Sequence, residues 1–109
     1  MSALFDVVAE PNRRRILDRL LSADASVGEL VDDTGLSQTA VSKHLRVLRE
    51  HGLVTVVVDA QRRIYALDSR PLTAIDDWLL AYRATWNRHV DALVDHLDRE
   101  QQAGTRNQG

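Results

Sequence analysis

The apolar positions of this chain change period along its length, and the changes mark its elements. Leu4, Phe5, Val7 and Val8 make residues 1–9 a short amphipathic stretch. Pro11 suits the first turn of a helix, where its missing N–H costs nothing. Ile16, Leu17, Leu20 and Leu21 follow at helical spacing, with Arg13, Arg14, Arg15 and Arg19 around them. Ser22–Ser26 reads as a polar loop. Ser26, with Glu29 three residues on, has the arrangement of a capping box. The helix it opens runs to about Thr34 and buries Val27, Leu30 and Val31, and Gly35 supplies a left-handed residue to end it. Ser37 is a good N-cap for the next helix. Val41, Leu45 and Leu48 form the buried stripe of that helix, and Gly52 terminates it. From there β-branched residues take over. Val54–Val58 and Arg63–Leu67, joined through Asp59–Arg62, predict a β-hairpin. Pro71 breaks the chain again, and Leu72–Glu100 reads as one long helix. The polar residues 101–109, with two glycines, are expected to form a disordered tail.

Two short helices joined by a tight glycine-containing turn and followed by a hairpin describe a winged helix-turn-helix. The expected fold is therefore mostly α with a small β-hairpin and a long C-terminal dimerisation helix, all within residues 1–100. A length of 109 residues supports one such domain, and 44% hydrophobic with 28% charged residues is the composition of a soluble globular protein. Zero cysteines exclude disulfides, thiolate catalysis and Cys-ligated zinc. No apolar run approaches the length of a membrane span. Met1-Ser2-Ala3 lacks the basic and apolar regions of a secretory signal, so the cytoplasm is the expected location.

Charge is distributed unevenly. Residues 1–37 sum to −3, residues 38–70 to +3 and residues 71–109 to −2, within a total of −2. A basic island in an acidic chain points to a polyanionic partner. The second helix of the helix-turn-helix would present its polar first turn outward, where it fits the major groove of DNA. Gln38 has the donor and acceptor for a bidentate contact to adenine, and Thr39 and Ser42 can bond a base edge or a phosphate. Lys43, Arg46 and Arg49 are better placed to grip phosphate. Gln61, Arg62 and Arg63 cluster near the hairpin tip, where a wing would meet the minor groove or the backbone. His44 borders the buried stripe and reads as a partly buried structural histidine, with a phosphate contact as the alternative. Nothing calls for a cofactor, and no nucleophile–base spacing or phosphate-binding loop supports an enzyme.

The last helix also argues for a second copy of the chain. At ~43 Å it is too long for one small domain to cover. Ile75, Leu79, Tyr82, Trp86, Val90, Leu93 and Leu97 form a near-heptad apolar seam. Leu79, Tyr82, Trp86, Val90, Leu93 and Leu97, joined by Leu4, Phe5 and Val8, are the expected homodimer interface. A two-fold dimer would set two recognition helices ~34–36 Å apart, matching an inverted-repeat operator in double-stranded DNA.

The segments Glu10–Leu17, Val27–Leu30, Leu36–Leu48, His51–Val54 and Arg63–Leu67 together resemble the ArsR/SmtB family of bacterial transcriptional repressors. The likeness spans about Leu4 to Leu97, and its specific part is Ser37 to Val54. It implies a homodimeric winged-helix repressor that binds inverted repeats and leaves DNA when a signal arrives. By position it places DNA contacts on Ser37, Gln38, Thr39, Ser42, Lys43, Arg46 and the wing arginines. The wing turn Asp59-Ala60-Gln61-Arg62 departs from the family by lacking a glycine. Many relatives sense metals, but the thiolate position here reads Glu29-Leu30-Val31-Asp32-Asp33, without sulfur. On the last helix, Arg83, Thr85 and Arg99 stand where metal ligands would be required. The resemblance is thus to a branch without the usual metal ligands. A non-standard site using His96 and Glu100, with His89 or Asp91 from a partner, is one alternative. A winged-helix module that binds only protein is the other. An unidentified small apolar inducer near Trp78, Tyr82 or Trp86 would be a further partner, although core packing explains these aromatics more cheaply.

Overall fold

The computed structural model describes the backbone of residues 2–108 and the side chains of residues 3–101. Its elements run α1 (Ser2–Ala9), α2 (Pro11–Ser22), β1 (Ala25–Ser26), α3 (Val27–Thr34), α4 (Gln38–Glu50), β2 (Val54–Asp59) and β3 (Arg62–Leu67). A 3-10 turn at Arg70–Leu72 then leads to α5 (Thr73–Gln108). The chain falls into two compact units, residues 1–75 and residues 76–109. No described helix is long and apolar enough to cross a membrane.

Side-chain caps and left-handed residues set the helix ends. Glu10 caps α2 by accepting from the Arg13 N–H at 2.8 Å, ahead of Pro11. Ser26 and Glu29 make the expected capping box at α3, and Gly35, at φ 74°, ends that helix. Ser37 caps α4 by accepting from the Ala40 N–H at 3.1 Å. The far end of α4 closes as a Schellman motif around Gly52, at φ 73°. The Gly52 N–H donates to the Arg49 carbonyl at 3.0 Å, and the Leu53 N–H to the Leu48 carbonyl at 2.9 Å. Leu48 and Leu53 are both fully buried, so the motif carries its apolar contact.

The first unit packs around Ile16, Leu30, Val41, Leu45, Leu48, Leu53 and Val54. Val27 and Val31 lie partly buried against this core. Leu21, expected in the α2 stripe, is instead 71% exposed. It lies one position past Leu20, and the 100° step per residue carries it off the buried face.

The sheet has three strands in the order β1-β3-β2, all antiparallel. The expected hairpin is therefore one strand short. Ala25 pairs with Tyr65 and Ser26 with Ile64, within a segment that reads as loop in the sequence. A two-residue strand has no period to detect, and only the neighbouring backbone reveals it. β2 and β3 each extend one residue further toward the tip than expected. Asp59 pairs with Arg62, which leaves a two-residue loop at Ala60 and Gln61. Ala60 sits at φ 57° and is the left-handed residue of that turn. In the second unit the backbone of α5 continues helical through Gln108, past the Glu100 boundary read from the sequence. Side chains beyond Gln101 lie outside the described residues.

Candidate nucleic-acid interface

α3 and α4, joined through Gly35, Leu36 and Ser37, form the helix-turn-helix, and β2–β3 forms the wing. Burial of Val41, Leu45 and Leu48 fixes the rotation of α4 about its axis. Ser37, Gln38, Thr39, Ser42, Lys43 and Arg46 are consequently all exposed, as is Arg49 near the end of the helix. This outward run contains no acidic residue. His44 turns the other way, with a side chain only 14% exposed and its Nε2 3.9 Å from a Glu10 carboxylate oxygen. Its Nδ1 is buried without a hydrogen-bond partner among the described residues, so it is a packed histidine.

The three predicted wing residues are exposed but do not act as one cluster. Gln61 occupies the turn. Arg62 and Arg63 leave β3 on opposite faces, as successive strand residues must. The Arg62 guanidinium reaches back to α3 and donates to Glu29 Oε1 at 2.9 Å and to Ser26 Oγ at 3.2 Å. Glu29 is held below the usual carboxylate range, first by the hydrogen bond from the Ser26 backbone and then by that from its hydroxyl. The Arg62 charge adds to the effect. Arg62 thus ties the wing to the first helix of the helix-turn-helix, a link that sequence spacing across 33 residues does not show. Arg63 faces the other way, into a cleft of about 330 Å³ between α4 and β3, together with Ser42, Arg46, Arg49 and Tyr65. Tyr65 was not singled out in the sequence, because alternation alone marks it as core.

Three of the four arginines of α2 serve the fold. Arg13 donates to the carbonyls of Val7 and Asp6 at 2.7 and 3.1 Å. Arg15 donates to the Thr34 carbonyl, and Arg19 pairs with Asp33 at 2.5 Å. In the second unit, Tyr82, Trp86, Val90, Leu93 and Leu97 are between 43 and 68% exposed, whereas Leu79 is half-buried. Of the proposed N-terminal contributors, Leu4 and Val8 pack against the core of the first unit, and Phe5 is half-buried. His96 pairs with Glu100 at 3.0 Å. Among the described residues no three His, Asp or Glu side chains converge as a metal site would require.

A helix-turn-helix with an outward polar helix beside a short antiparallel wing defines a DNA-binding transcriptional regulator of the winged-helix class. Comparison with known proteins narrows the class. Residues 10–56 match the model of the bacterial regulatory protein arsR family. The HTH-type transcriptional regulator Rv2034 of Mycobacterium tuberculosis is 34% identical over 96 residues, covering 88% of this chain and 87% of that one. The transcriptional activator HlyU of Vibrio cholerae is 41% identical over 76 residues, 70% of each chain. An ArsR-like transcriptional regulator from Rhodococcus sp. RHA1 superposes with a TM-score of 0.67 at 28% identity, over 84% of this chain and 87% of its own. The chain belongs to the arsR family, and it is a transcriptional regulator and not an enzyme.

Proposed function

We propose that this regulator is a homodimeric, sequence-specific repressor that binds an inverted-repeat operator in the cytoplasm. In this reading the Gln38–Arg49 helix lies in the major groove and wing residues 59–63 lie on the flanking groove. The observation that carries it is the outward polar and basic run of α4 from Gln38 to Arg49, held in place by its buried stripe, with no carboxylate before Glu50 at the end of the helix. In this reading Gln38, in the first turn, meets a base edge, Thr39 and Ser42 meet a base edge or a phosphate, and Ser37, Lys43 and Arg46 engage the backbone. The exposed apolar face of α5 supports the dimer, because a contiguous row of large apolar side chains in water marks a covered surface. Repression is the sign that the family resemblance implies. HlyU carries the name of an activator, so a reporter assay belongs beside the binding assay. An inducer is proposed as an unidentified small molecule.

The test is fluorescence anisotropy of labelled DNA from upstream of the chain's own gene, titrated against random competitor. Tight, competitor-resistant binding at dimer stoichiometry supports the reading. Binding equal to that of random DNA sinks specificity for that operator. Absence of any salt-dependent affinity for DNA would favour a winged-helix module that binds protein instead.

A further inference from the structure

The arginines of the first unit differ in what they hold. Arg13, Arg15, Arg19, Arg62 and Arg70 each hold a carboxylate or a backbone carbonyl. Arg14 lies apart on α2, in a separate pocket beside Asp18. Arg46, Arg49 and Arg63 hold neither group among the described residues, and all three line the same cleft between α4 and β3. Ser42, Arg46 and Arg49 stand at i, i+4 and i+7 on a single stripe of α4, facing Arg63 and Tyr65 on β3. None of the residues lining the cleft is acidic, and its floor includes the buried side chains of Leu45 and Tyr65. Three guanidiniums gathered without a counter-charge repel one another, a cost that is relieved when a ligand supplies the negative charge.

We propose that this cleft seats one DNA backbone phosphodiester, held jointly by Arg46, Arg49 and Arg63 with the Ser42 hydroxyl as a further donor. The inference rests on the DNA-binding reading above and deepens it. A single sugar–phosphate strand separates a major groove from the neighbouring minor groove. With α4 in one groove and the wing in the other, that strand must cross between the two elements, where the cleft lies. Planar guanidinium forks match the non-bridging phosphate oxygens. The apolar floor and the volume of about 330 Å³ leave room for the adjoining sugar. Ser42 is thereby assigned to the backbone and not to a base edge.

The shared seat has a measurable signature. Each phosphate neutralised contributes about 0.9 to the slope of log affinity against log salt. Anisotropy with a random-sequence duplex should therefore show the triple variant Arg46→Ala/Arg49→Ala/Arg63→Ala losing about 0.9 of slope per protomer. Each single variant should lose little of that amount, because the two remaining guanidiniums still neutralise the phosphate. Three separate phosphate contacts would instead cost about 2.7 per protomer, additively, and would overturn the shared seat. An unchanged slope would overturn it as well, by showing that the cleft faces away from DNA. The triple Arg→Lys variant keeps the charge and guards against a folding defect. It should retain the slope while binding several-fold more weakly, because the forks are lost. If the unsubstituted protein fails to bind any duplex, the DNA-binding reading itself falls, an outcome distinct from the others.

Discussion

Ala60 adopts a left-handed conformation that glycine or asparagine takes at lower cost, and the family resemblance itself leads one to expect glycine in this turn. Ala60→Gly should raise stability by about 0.5–1 kcal/mol, seen as a higher thermal midpoint. A lower midpoint would mean that the turn is held by contacts that the alanine methyl makes. On the proposed reading, sequence preference rests on Gln38. Gln38→Ala should cost about 1–3 kcal/mol on an operator and leave random-sequence binding unchanged. Equal losses on both would remove Gln38 from base reading. His44 shows the limit of residue-level inference, since its place on the border of a stripe allows two orientations. Only the packing of Glu10 and α2 against α4 settles its inward turn.

Among the elements, the caps make their own prediction. Ser26 satisfies the first turn of α3 and also accepts from Arg62, so Ser26→Ala should destabilise by about 1 kcal/mol or more in chemical denaturation. A second device closes the loop after β3. Asp68 accepts from the Arg70 side chain and from its backbone N–H, which together hold its carboxyl down at about 2 against an ordinary 3.8. The folded value is the lower one. The stability Asp68 contributes is therefore present above its ordinary value and is lost as pH falls toward about 2. Thermal melts of Asp68→Asn should lose that part of the acid limb, and a limb identical to the parent's would show that the pair contributes nothing.

The sequence revealed elements wherever a local signal existed. Ser26 with Glu29, Gly35, Ser37 and Gly52 marked the helix-turn-helix because caps and left-handed residues are local chemistry. Val41, Leu45 and Leu48 then fixed which side of α4 faces outward. β1 and the Arg62–Glu29 link stayed hidden because each depends on a contact across more than 30 residues. The division of the wing arginines between two faces was implicit in strand alternation. The partners on each face were not.

For the whole molecule, the exposed seam of α5 leads to the sharpest expectation. On the proposed homodimer reading, Leu93→Glu should convert a dimer to a monomer in sedimentation and weaken operator binding about a hundred-fold through loss of the second half-site. A dimer that survives this change would place the interface elsewhere. The tie of the wing to α3 through β1 and Arg62 has another consequence. Backbone hydrogen bonds hold that spacing, so on the proposed reading the protein is the stiff partner and the duplex the compliant one. Some operator positions would then be chosen by how cheaply they bend, at base pairs that no side chain touches. Flexible pyrimidine–purine steps placed between the helix and wing contacts should tighten binding, and stiff A-tracts there should loosen it.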